Sequence, residues 1–152
     1  DGLAISFAIF ALFCFDYFNK SDNLTNLNLI CIGSMIPLYY FNFKKEKKIF
    51  LGDAGSLFLG SLLALNTFHF LDPEQLIYLE INRALLAVSI LTYPLIDLLR
   101  VFILRIRQKK SPFFADQNHL HHILLRTLYK HFYVTLVIIL VNLLILSLVI
   151  FI

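Results

Sequence analysis

Five long apolar stretches, separated by short polar segments, constrain this chain more than any other feature of its sequence. Each approaches the roughly 20 helical residues that cross a hydrocarbon core about 30 Å thick. Hydrophobic residues make up 59% of the 152 residues and charged residues only 15%, whereas soluble domains contain about 25% charged residues. A soluble globule of this composition would expose large apolar patches to water. The sequence therefore excludes a soluble domain and predicts an integral membrane protein.

The apolar stretches predict an all-α, polytopic membrane protein with about five transmembrane helices. The first stretch is short and contains Asp16 near its end. The fourth carries Asp97, Arg100 and Arg105 in its second half, so we expect that end to lie at the membrane interface or against protein. The last stretch contains no charged residue. The predicted helices cover residues 3–18, 24–43, 55–71, 84–106 and 132–152.

Basic residues predict the orientation of these helices. The formal net charge is +3, and eleven of the thirteen Lys and Arg residues fall into two connections, at positions 44–48 and 100–130. Because cytoplasmic loops accumulate Lys and Arg, both connections are predicted to be cytoplasmic. Five helices in order then lead the chain from the cytoplasm at Asp1 to the outside at Ile152. The eleven residues are Lys44, Lys45, Lys47, Lys48, Arg100, Arg105, Arg107, Lys109, Lys110, Arg126 and Lys130.

The segment Gly52-Asp53-Ala54-Gly55-Ser56 places a carboxylate just before the third predicted helix. Its glycines allow the backbone to approach a ligand closely, and the amides that open a helix attract anions. A phosphate, and a hard cation held by Asp53, are therefore predicted to share this corner. The alternative is that Asp53 only caps the N-terminus of the helix.

Residues 111–122 form the longest predicted loop on the basic side and contain three of the five histidines, His119, His121 and His122. If this stretch is helical, His119 and His122 share a face and Arg126 follows one turn later, a cluster of donors suited to a phosphate. Two alternatives remain open. One is a zinc site that includes a nearby aspartate. The other is a basic loop held against anionic lipid.

Asp97 lies within a predicted membrane helix, where an ionisable residue is a functional candidate by default. The alternative is purely structural, because Asp97 and Arg100 are three residues apart on a helix and can neutralise each other.

Four segments match, in order, the motifs of one family. Residues 1–4 (Asp-Gly-Leu-Ala) resemble the end of an Asp-Gly-x-Asp-Gly-Leu-Ala motif, and residues 49–56 resemble a segment containing Phe-Met-Gly-Asp-Ala-Gly-Ser. Residues 94–97 fit a Pro-x-x-Asp helix. Residues 111–113 and 119–122 are similar to a Ser-Pro-Phe and His-x-His-His loop. Together they resemble the polyprenyl-phosphate N-acetylhexosamine-1-phosphate transferases, integral membrane enzymes that load a sugar phosphate onto a lipid carrier.

The resemblance implies that residues 1–152 are the C-terminal part of a single transmembrane transferase domain. In the family, an Asp-Asp motif on an earlier cytoplasmic loop contributes to the magnesium and lipid-phosphate site. This sequence contains no replacement for it, so we expect the chain alone to be inactive. Family members also often read Pro-Asp-Arg before the histidines, where this chain reads Ala115-Asp116-Gln117.

The implied reaction is the transfer of N-acetylhexosamine-1-phosphate, in particular GlcNAc-1-phosphate, from a UDP-sugar to undecaprenyl phosphate with release of UMP. It would be the first step of a cell-envelope glycan pathway. One alternative is the phospho-N-acetylmuramoyl-pentapeptide transferase of the same family. The other is a non-enzymatic transporter or scaffold in which Asp97 and Arg100 form a gate or a helix contact.

The resemblance also implies a cofactor, partners and site residues. The cofactor is Mg²⁺, and the partners are a UDP-N-acetylhexosamine, a polyprenyl phosphate and the membrane, with no nucleic acid. The expected location is the bacterial plasma membrane, with the active site on the cytoplasmic side. The implied site residues are Asp53 (catalytic and metal-binding), Asp1 (near the nucleotide), His119 (catalytic), and His119, His121, His122 and Arg105 (at the diphosphate).

Overall fold

The computed structural model describes residues 2–19, 22–44, 49–73, 82–109, 111, 120, 123–125 and 130–151. Within these residues six helices account for most of the chain, and the predicted all-α fold is confirmed. The helices are α1 (Gly2–Phe18), α2 (Asp22–Phe43), α3 (Gly52–Leu71), α4 (Arg83–Ile90), α5 (Thr92–Arg107) and α6 (His131–Phe151).

The helices follow the five predicted apolar stretches closely, with two differences. The third helix begins at Gly52 and not at residue 55, so that Asp53 lies inside it. The fourth stretch is divided into α4 and α5, whose axes are bent by 71°. Periodicity could not reveal this break, because the apolar pattern continues through Leu91 on both sides.

A polytopic membrane protein is also confirmed. Among the described residues, three segments are long and apolar enough to cross a bilayer: Leu24–Asn42, Gly52–Leu71 and His131–Phe151. The bent pair α4 and α5 would make a fourth. Helix α1 is apolar but has only 17 residues, or about 25 Å at the usual helical rise, which is less than a hydrocarbon core of about 30 Å.

The chain divides into two compact units, Asp1–Ala87 and Val88–Ile152. In the first unit, α1 packs against both α2 and α3. Small and medium apolar side chains fill the contact, as expected where helices pack closely. The core of this unit consists of Ile5, Ala8, Leu12, Cys31, Met35, Leu59 and Leu62.

A buried amide pair joins these three helices at one level. Asn28, near the start of α2, and Asn66, near the end of α3, are 0% and 1% exposed. Their side chains are bonded to each other in both directions, at 2.6 and 3.0 Å. Asn28 also donates to Oδ1 of Asp16, near the end of α1, at 2.7 Å. Asn42, at the other end of α2, bonds the carbonyl of Ile49 just before α3, so α2 and α3 are antiparallel and the close of α2 lies at the same end as the start of α3.

In the second unit, the side chain of Asn142 on α6 is 2% exposed and fills the break between α4 and α5. Its Nδ2 donates to the carbonyl of Ser89 at 3.2 Å and to that of Ile90 at 2.9 Å. Its Oδ1 accepts a hydrogen bond from the amide of Tyr93 at 3.1 Å. One side chain therefore satisfies three backbone groups that the break removes from the helical ladder.

The break has an identifiable cause. A continuous helix would bond residue 94 to the carbonyl of Ile90, but Pro94 has no amide hydrogen, and its ring crowds that carbonyl. A kink follows where proline and an inserted side chain act together. Water is scarce in the hydrocarbon region, so the freed backbone groups need protein partners there, and Asn142 supplies them.

We expect Asn142→Leu to destabilise the protein by about 2 kcal/mol or more, because each buried polar group left unsatisfied costs about 1–3 kcal/mol. Loss of helical circular dichroism during SDS titration of the micellar protein measures the change. Ser147→Leu is the matched control, since Ser147 lies on the same helix and bonds only within its own turn, to Leu144. Equal stability of the two variants would contradict the role assigned to Asn142.

Candidate active site

The start of α3 presents Asp53 as an exposed side chain in the first turn of the helix. The residue at the N-cap position is Leu51, whose backbone is helical and which makes no side-chain cap hydrogen bond. The alternative that Asp53 serves as the N-cap is therefore wrong. Its carboxylate lies instead where the partial positive charge of the helix start favours a negative group.

Two glycines shape the backbone around Asp53. Gly52 has φ +68°, a left-handed conformation that is costly for any residue with a Cβ atom. Gly55 lies against the side chain of Leu51, four residues earlier, since a Cβ atom on Gly55 would be 2.6 Å from Cδ1 of Leu51. Leu51 is half-buried and packs on the core of the first unit. The glycines thus allow the chain to turn sharply from a core residue into the helix that carries Asp53.

The neighbouring polar groups at the start of α3 are largely used by the fold itself. The hydroxyl of Ser56 donates to the carbonyl of Gly52 at 2.8 Å. Asn42, at the end of α2, donates to the carbonyl of Ile49 at 2.9 Å and so joins α2 to the segment just before α3. Among these groups, the Asp53 carboxylate is the one that is exposed and anionic.

A basic residue lies at the same end of the first unit. Lys44 follows α2, and its Nζ is 4.7 Å from the ring centroid of Tyr40 and 5.0 Å from that of Phe41. Such cation–π contacts hold an ammonium group near an aromatic surface without neutralising its charge. Because the close of α2 and the start of α3 lie at one end of the unit, a cation and a carboxylate are both available there to ionic ligands.

The described residues contain no cluster of three or more His, Cys, Asp or Glu side chains that could hold a metal ion. This argues against an all-protein metal cage within that part of the chain. It is compatible with magnesium, which is usually bound through one or two carboxylates together with waters and phosphate oxygens of the substrate. A single exposed carboxylate such as Asp53 suits a site of that kind. The zinc alternative concerns histidines outside the described residues.

Asp97 on α5 has a hydrogen-bond partner other than Arg100, the residue with which its spacing along the helix suggested a pair. Its Oδ1 accepts a hydrogen bond from the backbone amide of Leu120 at 2.6 Å. The two residues are 23 positions apart, and both belong to the second unit. The acid is half-buried, and a hydrogen bond to an ionised carboxylate is among the stronger ones in proteins.

Arg105 lies in the last turn of α5, together with Arg107. Cationic side chains are favourable there because the C-terminal end of a helix carries partial negative charge. The helix closes immediately afterwards, where the amides of Gln108 and Lys109 bond the carbonyls of Leu104 and Ile106 at 3.0 and 2.9 Å. Arg105 itself is half-buried.

Of the predicted site residues, the structure describes Asp53, in the first unit, and Arg105, in the second. The other four, Asp1, His119, His121 and His122, lie outside the described residues. Sequence reasoning missed the structural asparagines Asn28, Asn66 and Asn142, and also the role of Leu120. A carboxamide within an otherwise apolar helix was the available signal, because a buried amide requires partners.

Comparisons with known proteins point in one direction. The sequence pattern of Glycosyl transferase family 4 matches residues 1–70. The chain is 32% identical over 119 residues, 74% of its own length and 30% of the relative's, to the decaprenyl-phosphate N-acetylglucosaminephosphotransferase of Mycobacterium leprae. It is 29% identical over 133 residues to the undecaprenyl-phosphate alpha-N-acetylglucosaminyl 1-phosphate transferase of Haemophilus influenzae, with 80% of the chain and 34% of the relative covered.

A third relative is the probable undecaprenyl-phosphate N-acetylglucosaminyl 1-phosphate transferase of Bacillus subtilis. The chain is 29% identical to it over 125 residues, which are 80% of the chain and 34% of the relative. The chain therefore spans about a third of the length of these curated relatives. No solved structure matches it.

Gly52→Ala is expected to destabilise the protein by about 1–2 kcal/mol, the cost of a left-handed backbone for a residue with a Cβ atom. Gly60→Ala on the same helix is the control, because a Cβ atom there meets nothing within 4 Å and alanine favours helix. Thermal unfolding in detergent compares the two variants. A Gly52 variant as stable as the Gly60 variant would contradict the conformation described for the start of α3.

Proposed function

Since the chain belongs to glycosyl transferase family 4 through residues 1–70, we propose that the protein carrying it transfers GlcNAc-1-phosphate from a UDP-sugar to a polyprenyl phosphate, with undecaprenyl phosphate as the preferred acceptor. The names of the relatives support both the sugar and the class of lipid. Because the chain spans only about a third of these relatives, the activity is proposed for the whole protein. In that protein, residues 1–152 would be the C-terminal part of the transferase domain.

The observation that carries this proposal is Asp53. It is an exposed carboxylate in the first turn of a membrane-length helix, within the residues that match the family. A helix end is where a membrane protein meets water. One substrate stays in the bilayer and the other arrives from water, so their reaction has to occur at such an end. We place this end at the cytoplasmic face of the bacterial plasma membrane, on the strength of the basic residues near it.

The proposed reaction joins two anions, and this determines which side chains are needed. An oxygen of the lipid phosphate attacks the β-phosphorus of the UDP-sugar, the bond from that phosphorus to the bridging oxygen breaks, and UMP leaves with the bonding electrons. Magnesium, when bound, would supply positive charge against the two phosphate groups. Asp53 is the residue that would hold it.

Basic side chains complete the proposed site. Lys44, at the same end of the first unit as Asp53, suits the attraction of an anionic substrate from the aqueous side. Arg105 and the histidines His119, His121 and His122 are proposed to contact the diphosphate. Hydrogen-bond donors in that position stabilise the charge that develops on the bridging oxygen as UMP departs.

We expect Asp53→Asn to lower the rate of lipid-linked product formation by about 100-fold or more, comparable with removing a principal electrostatic group from other active sites. The assay follows radiolabelled GlcNAc from UDP-GlcNAc into the lipid fraction of membranes containing the protein expressed from its whole gene, with magnesium present. Chelation of magnesium is expected to abolish wild-type product formation.

Asp72→Asn is the matched control, since Asp72 follows the opposite end of the same helix. It is expected to retain wild-type activity, and both variants are expected to insert into the membrane at wild-type levels. Wild-type turnover by the Asp53 variant would remove Asp53 from the mechanism. A protein that moves solute across liposomes without forming any lipid-linked product would instead be a transporter.

A further inference from the structure

A hydrogen bond joins Asp97 to Leu120, 23 residues further along the chain, and the proposed reaction assigns no role to either residue. Asp97 lies on α5, and its Oδ1 is 2.6 Å from the backbone nitrogen of Leu120. A carboxylate within an apolar helix is costly and persists where it makes a specific interaction. The partner here is a backbone amide, so this interaction does not depend on the identity of the side chain at position 120.

Leu120 also lies beside α5 and α6. It lines a cavity of about 190 Å³ between α5 and α6, together with Tyr93, Ile96, Val141 and Asn142. Two of these residues belong to the hydrogen-bonded helix break, where Asn142 accepts from the amide of Tyr93. Leu120 therefore lies at a cavity between α5 and α6, and its amide is bonded to the Asp97 carboxylate of α5.

Leu120 stands between His119 and His121 in the sequence. The bond to Asp97 therefore holds the chain at the position between two of the proposed phosphate-binding residues. We propose that Asp97 is a positioning residue, whose hydrogen bond holds the amide of Leu120 against α5 so that the histidines on either side of it in the sequence can bind the diphosphate of the sugar nucleotide. This inference rests on the proposed function, because it assigns the histidines the same ligand.

A positioning role predicts a particular kinetic pattern. Removing the carboxylate of Asp97 leaves the proposed phosphate-binding side chains in the sequence, but the amide of Leu120 between them loses its hydrogen bond. The KM for UDP-GlcNAc should then rise by roughly tenfold or more, the effect of losing a hydrogen bond to a charged group. The KM for the lipid acceptor should change little. A purely structural role would instead lower the amount of folded enzyme and leave both KM values unchanged.

The experiment uses the protein expressed from its whole gene, reconstituted in nanodiscs. Asp97→Ala removes the acceptor, whereas Asp97→Asn keeps an oxygen in place and should restore most of the affinity. Leu120→Pro removes the amide hydrogen that donates to Asp97. Leu120→Ala is its control, because alanine shortens the side chain but retains the amide hydrogen. Leu98→Ala is the control for substitution on α5, at a position with 65% of its surface exposed.

Two measurements are made on each variant. Steady-state kinetics give the KM for each substrate, and hydrogen–deuterium exchange reports the protection of peptides containing Leu120. We expect Asp97→Ala and Leu120→Pro to raise the KM for UDP-GlcNAc by similar factors, and the double variant to be no worse than either. Asp97→Ala should also lower exchange protection at Leu120 by roughly tenfold, while Leu98→Ala matches the wild type on both measurements.

Different results overturn this inference and the proposed function. With an active wild type, the inference fails if Asp97→Ala keeps the wild-type KM for UDP-GlcNAc. It also fails if that KM rises while exchange at Leu120 stays unchanged, or if the effects of Asp97→Ala and Leu120→Pro are additive. A wild-type protein that forms no lipid-linked product contradicts the proposed function and overturns the inference with it. This outcome can be told apart from failure of the inference alone, because activity is then absent from the wild type as well as from the variants.

Discussion

The three hydrogen bonds of Asn142 show the constraint on which this fold depends, which is that polar groups inside a membrane must find partners in the protein. Pro94 deprives the carbonyl of Ile90 of its helical donor, and the sharp bend between α4 and α5 exposes further backbone groups. A single carboxamide on α6 has both donors and an acceptor and bonds three of these groups. The bend can therefore exist in a region where an unsatisfied backbone would be costly, and α5 obtains a fixed position against α6.

The same constraint organises the first unit through different residues. The carboxamides of Asn28 and Asn66 are hydrogen-bonded to each other in both directions, and Asn28 also donates to the carboxylate of Asp16. Because apolar contacts in lipid discriminate weakly between helix arrangements, directional bonds of this kind help to specify which helices are neighbours. Asn28 and Asn66 lie at the ends of α2 and α3 that are distant from Asp53. At the other ends, the bond from Asn42 to Ile49 keeps the close of α2, where Lys44 is found, beside the start of α3.

The proposed chemistry draws on each unit in a different way. The first unit contributes one exposed carboxylate on a backbone that only glycine permits. The second contributes the arginine at the close of α5 and, through Asp97, a fixed backbone position beside the histidines. Among the described residues Asp53 is the carboxylate proposed for the metal. Magnesium held by one or two carboxylates is completed by waters and phosphate oxygens, which accords with a reaction whose two substrates both carry phosphate.

The sequence by itself determined the membrane environment, the all-α fold, the positions of the apolar helices and the segment containing Asp53, because hydrophobic length and short motifs are local properties. The tertiary structure decided where α3 begins, since Leu51 packs on a core made by three helices. It also decided the break at Leu91, which depends on Asn142 about 50 residues away, and the partner of Asp97, which lies 23 residues further along. Periodicity within one helix contains no information about which distant residue will satisfy its polar groups. That choice is made only when the helices pack.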